Sequence, residues 1–199
     1  MFDTELERKW GEFKKVDHYW ENGPLPFISD HTRLNVLFEP ESDVLIHKTF
    51  HHSLECEILP ELRAFYKSYN GCRLFNGAFN IYGIQNHRED IYEPFNIVLE
   101  NFNNYAKVKI NLSAKKPFVV IGSLGGDYLF SYKTDELRTI YCTKSGERKI
   151  LKEFEDFNMF FSYCFHALIG EYDLEGRKIH PDKENVEFLE LEDSTHKTL

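Results

Sequence analysis

The chain has few of the patterns that mark chemistry or a special compartment. Its four cysteines, Cys56, Cys72, Cys142 and Cys164, include no C-x-x-C pair. Buried reduced thiols are therefore expected, as is usual in the cytosol. No apolar run approaches the ~18 residues that a spanning helix requires. The opening stretch from Met1 to Trp10 is too polar and acidic for a secretory leader, and cytoplasmic residence is the expectation. Basic charge is scarce: 24 Lys and Arg stand against 33 Asp and Glu, a net charge of −9. Nucleic-acid binding relies on Lys and Arg to neutralise phosphates, so a direct nucleic-acid partner is disfavoured, whereas a basic partner would be steered in. The imbalance is uneven, with nine acids against four bases from Glu171 to Leu199.

Catalytic signatures are missing too. Gly122-Ser123-Leu124-Gly125-Gly126 has Ile121 where a nucleophile elbow needs glycine. Asp127 follows its glycine pair where a P-loop needs Lys-Ser/Thr. The stretch reads as a turn between two strands, with Asp127 either an exposed acid or bonded to turn N–H groups. His47, His51 and His52 spell H-x-x-x-H-H. On a helix the first two share a face, a spacing that metal sites use; in a loop they are exposed or packing imidazoles. No H-E-x-x-H accompanies them, and the loop reading is preferred over a zinc site or a hydrolase built on the cluster. The acids Glu61, Asp127, Asp135, Glu136, Glu153, Glu155 and Asp156 are scattered along the chain, and sequence supplies no distances for acid–base work.

What is present is an ordinary globular balance, 42% hydrophobic and 29% charged, with an unusual 18 Phe and 11 Tyr. An aromatic core accounts for most of these, although aromatics also anchor interfaces. Leu6, Trp10, Phe13, Val16 and Trp20 predict an amphipathic helix over 3–20, stopped by Asn22-Gly23-Pro24. A strand is expected from Arg33 to Phe38, and a turn at Pro40-Glu41-Ser42-Asp43. The clearest local signal runs from Leu59 to Gly71. Pro60 suits a first helical position, Ile58, Leu62, Phe65, Tyr66 and Tyr69 share a face, and Asn70-Gly71 can end a helix, giving a helix over about 58–69.

Gly77 to Ile84 predicts a strand with Phe79 and Ile81 on one side. A helix with Pro94 near its start follows, with Phe95, Val98, Leu99, Phe102, Tyr105 and Ala106 on its apolar face; Asn103-Asn104 should fray it. Beyond Pro117 the period becomes two. Phe118 to Ile121, Asp127 to Lys133 and Arg138 to Thr143 predict three antiparallel strands, with Tyr128, Phe130 and Tyr132 on one face and turns at 134–136 and 144–147. A Phe-rich helix then carries Phe154, Phe157, Phe160, Phe161, Cys164, Phe165 and Leu168, and stops at Gly170. Val186, Phe188, Leu189 and Leu191 suit an edge strand or a docking peptide in a largely flexible tail.

Leu59-Pro60, Phe65, Asn70-Gly71, Tyr82-Gly83 and Phe118-Val119-Val120-Ile121-Gly122 with Gly125-Gly126-Asp127, taken in this order, resemble the SUKH superfamily, which includes the fungal cell-wall glucan-synthesis regulators. The likeness covers about 53–170. It implies an α+β domain, a twisted, largely antiparallel sheet packed by helices. It frames 1–52 as an N-terminal extension with an amphipathic helix and 171–199 as an acidic tail. Bacterial members of this superfamily are typically immunity proteins that bind a polymorphic toxin domain, often a nuclease. Fungal members are interaction hubs in cell-wall signalling. The resemblance thus implies a non-enzymatic binder with no cofactor, no metal and no membrane. Its partner would be a basic toxin domain, or, alternatively, the protein is a regulatory scaffold. The expected contact residues are Glu61, Asp127, Asp135 and Glu136, with Tyr66, Tyr69 and Tyr128 as aromatic anchors.

Overall fold

Antiparallel strands and one aromatic helix form the core of the described residues. The structure is a computed structural model that describes residues 36–38, 40–84, 99, 102–103, 118–147, 149–173 and 177–180. Its elements, in chain order, are β1 (Val36–Leu37), α1 (Asp43–Lys48), a π-helical turn (Thr49–Ser53), α2 (Pro60–Tyr66), β2 (Cys72–Leu74), β3 (Phe79–Ile81), β4 (Phe118–Leu124), β5 (Tyr128–Lys133), β6 (Glu136–Lys144), β7 (Ile150–Phe154) and α3 (Phe157–Ile169). The seven strands lie in sequence order in one sheet, and each is antiparallel to the next. The expected α+β architecture is the one observed.

The aromatic helix covers one face of this sheet. Phe160 of α3 sits 4.5 Å from Phe130, and 5.8 Å from both Phe79 and Phe154. α2 joins the same layer through Phe65, 5.7 Å from Phe157. Phe157, Phe160, Phe161, Cys164, Phe165 and Leu168 are all buried, as the 3.6-residue spacing requires. On the opposite face, Val120, Leu129, Ser131 and Tyr141 are buried as well. There Asn103, in a helical segment with Leu99 and Phe102, bonds to β4. Its Nδ2 donates to the Val120 carbonyl at 2.8 Å, and the Val120 N–H donates to its Oδ1 at 2.8 Å. One side-chain amide thus serves β4 as a neighbouring peptide unit would.

Several expectations are corrected. Gly122-Ser123-Leu124 is strand, not turn. The hairpin loop is Gly125 to Asp127, because Leu124 pairs with Tyr128; positive φ falls only on Gly125 (62°) and Gly126 (80°). Gly122 serves close approach instead: a Cβ there would collide with the Asn80 carbonyl oxygen of β3. Phe154 belongs to β7, a fourth meander strand that the pattern at 150–154 does not reveal. Both Ile150 and Leu151 in that strand are half exposed, so apolar–polar alternation is lost. Pro40 to Asp43 is not a simple turn, since Ser42 caps α1 by accepting from the Leu45 N–H at 3.3 Å. α2 ends at Tyr66 with Lys67 as its cap, shorter than the spacing predicts. Gly71, at φ 90°, lies beyond the helix and leads into β2.

Asn103 does not fray a helix but ties one to the sheet. The 171–180 stretch includes ordered chain, with Tyr172 paired to Lys178 and packed 5.4 Å from Phe75. Ile46 and Phe50, within the 1–52 segment, are fully buried in the common core. The predicted helix over 3–20, the strand positions 33–35, most of the helix after Pro94 and the apolar positions 186–191 lie outside the described residues.

Candidate protein-binding surface

Strand direction sorts the candidate residues into two groups. β5 runs from Tyr128 to Lys133. Asp127 and Tyr128 therefore sit at the end bearing the glycine turn, while Asp135 and Glu136 sit at the other. At ~3.3 Å per residue the two groups are roughly 20 Å apart, so they do not form one compact patch. Tyr66 belongs to neither group. It is fully buried, its hydroxyl donates to the Tyr82 carbonyl at 2.7 Å, and burial pushes its pKa far up. It is a core residue and not a surface anchor, because the apolar face of α2 packs against α3 through Phe65 and against Phe50 through Tyr66 itself. Tyr69 and Tyr128 are half buried against the core, with Tyr69 resting 5.6 Å from Phe65.

The Asp135 end gathers more acid than the sequence suggests. The Tyr132 hydroxyl donates to the Glu57 carbonyl at 2.7 Å, which pins the loop from Glu55 to Glu57 above this end of the sheet. Glu61 follows in the first turn of α2. β7 ends beside Ile140, bringing Glu155 and Asp156 to the same end. The carboxylates are not equivalent. Asp156 caps α3 by accepting from the Met159 N–H at 2.7 Å. Glu136 is held by Lys133 at 3.2 Å and by the Tyr141 hydroxyl at 2.8 Å. The Tyr141 hydroxyl, and then Glu136, push the Lys133 pKa up. Glu57 faces His51 at 3.7 Å. Glu55, Glu61, Asp135 and Glu155 carry no ion pair among the described residues and remain charges available to a partner.

Nearby cations are mostly engaged. Arg63 and Lys67 both bind Asp43, at 3.2 and 2.8 Å, and Lys67 foremost holds that carboxyl below the usual range. Arg138 is the exposed exception. Glu55 and Glu57 are not among the sequence-based candidates. The signal for them is alternation, because they fall between buried Leu54 and Cys56 and half-buried Ile58.

The imidazoles do come together. The wide π-helical turn places the His51 ring 4.1 Å from that of His47, and the His52 ring 6.1 Å from it. Even so, among the described residues no group of three or more His, Cys, Asp or Glu is arranged to hold a metal. The four thiols are buried, and burial pushes Cys72 and Cys142 up to about 12. Reactive thiolates are disfavoured in such a setting. Among the described residues no helix is long and apolar enough to cross a membrane.

A family model described as SMI1 / KNR4 family (SUKH-1) matches residues 47–163. That span runs from α1 to the middle of α3 and takes in the whole acid-rich end. No curated protein matches the chain.

Proposed function

The chain belongs to the SMI1 / KNR4 family (SUKH-1), and from that membership we propose that it is a non-enzymatic immunity protein that binds and neutralises a cognate polymorphic toxin domain. The observation that carries the reading is the group of uncompensated carboxylates Glu55, Glu61, Asp135 and Glu155, borne by the first turn of α2 and by the loop, turn and bend at one end of the sheet. A toxin domain that acts on nucleic acid is basic where it grips phosphates. An acidic surface of this kind competes for that site and speeds encounter through long-range attraction. Nothing in this binding mode requires a cofactor.

The test is co-expression with the toxin domain encoded beside this gene, read as growth rescue and as direct affinity. The intact chain should rescue growth. Combined Glu61→Lys and Asp135→Lys should weaken binding by on the order of tenfold or more, mainly through slower association. Asp127→Lys, at the far end, should leave affinity unchanged. No binding and no rescue by the intact chain overturns the reading.

A second reading, a regulatory scaffold of the cell-wall type, draws on the chain lying outside the matched span, at 1–46 and 164–199. Under it, deletion of 181–199 abolishes partner binding while the folded domain persists. Under the immunity reading, the same deletion leaves binding intact.

A further inference from the structure

β7 closes the sheet on one side, and among the described residues no strand pairs with its outer edge. It exposes Ile150 and Leu151, each 37% accessible. A bare strand edge with apolar side chains is a template for another strand. The centre of β7 does not fit that role. Lys152 pairs with Cys142 across the ladder and so lies on the face that α3 covers, among buried groups. Its ammonium stands 4.3 Å from the ring centre of Tyr163 and 5.9 Å from that of Phe154. Those two rings pack 5.3 Å apart. No acid of the described residues forms an ion pair with Lys152, and Glu153 points to the opposite face, across from Tyr141.

We propose that Lys152 closes the β7 edge to strand addition, from a second copy or from any other chain. A strand laid beside β7 would carry its own side chains onto the α3 side of the sheet and strip water from the Lys152 ammonium. Stacking on Tyr163 stabilises a cation that keeps part of its hydration, but it does not replace that hydration once lost. Two features act in the same direction: β7 is only five residues long, and its register with β6 shifts between Cys142 and Thr143, twisting the edge away from a flat template. The consequence for recognition is that partners meet side-chain surfaces of this protein and do not extend its sheet at β7.

A purely packing role for Lys152 predicts a different outcome, so the two are separable. Lys152→Met keeps the stem over Tyr163 and removes the charge; Lys152→Arg keeps the charge. Sedimentation and hydrogen exchange at rising protein concentration are the readouts. Lys152→Met should self-associate at least about tenfold more tightly than the intact chain, with concentration-dependent protection of the β7 amides, while Lys152→Arg matches the intact chain. Lys152→Gln supplies the same comparison should the Met variant not fold. The proposal is overturned by unchanged association of the folded uncharged variants, or by an intact chain that already protects β7 through self-association.

Discussion

Two side chains show how much depends on single residues here. Asn103 is 3% exposed and also donates to the Leu99 carbonyl at 2.9 Å. Asn103→Leu would keep the volume and leave both Val120 backbone groups unsatisfied within the fold. A loss of about 2–6 kcal/mol is expected, since each of the two buried orphans costs about 1–3 kcal/mol; urea denaturation at neutral pH measures it. Gly122→Ala is expected to cost on the order of 3 kcal/mol or more, because the added methyl meets backbone of β3 and not a movable side chain. If the variant unfolds at the same urea concentration as the parent, the close approach of β3 and β4 is wrong. Both positions are visible in sequence as residue types, but not for these reasons. A glycine beside Ser123 suggests a turn, and an Asn-Asn pair suggests a weak helix, until a non-local neighbour defines what each one touches.

At the level of elements, the long periodic segments are the legible ones. The Phe spacing of α3 specifies the helix and its buried face without help, because side chains three and four apart must share a side. Its start is marked by Asp156, whose carboxylate satisfies an otherwise unpaired N–H. Asp156→Ala should therefore lower stability by about 1 kcal/mol, read as a shifted urea midpoint, without changing the far-UV spectrum of the folded protein. Short elements behave differently. β2 and β3 have three residues each, and their connection holds Phe75 and Asn76 at φ 54°. A left-handed Phe costs roughly 1–2 kcal/mol. Burial of its ring against Phe165, 5.6 Å away, offsets that cost, and no local propensity forecasts it. β7 is hidden in the sequence for a related reason: Lys152 stands beside buried Phe154 on its inward side, while Ile150 and Leu151 are consecutive and both exposed, so the alternation of a half-buried strand is broken.

For the molecule as a whole, the buried phenols and thiols make stability depend on alkaline pH. Burial raises Cys72 and Cys142 from 9.0 to about 12 and Tyr82 from 10.0 to about 12, and Tyr66, Tyr132 and Cys164 also titrate above their ordinary values. The folded state keeps protons that the unfolded chain releases. Their contribution is therefore complete below about pH 9 and is lost as pH climbs towards about 12, at up to about 1.4 kcal/mol per pH unit for each group. Urea midpoints should be level between about pH 7 and pH 8.5 and fall steeply above about pH 10; a flat profile to pH 11 would contradict the burial of these groups. The partition of charge belongs to this scale as well. The acidic balance, the aromatic core and the longer helices and strands follow from composition and periodicity, because burial of apolar faces depends on spacing along the chain, while the α+β class was implied by the family resemblance. Which acids stand together, which tyrosine is lost to the core and which lysine lies inside an edge strand were decided only by tertiary structure. Those outcomes rest on strand register and direction, and register joins residues whose separation in sequence carries no information about their distance in space.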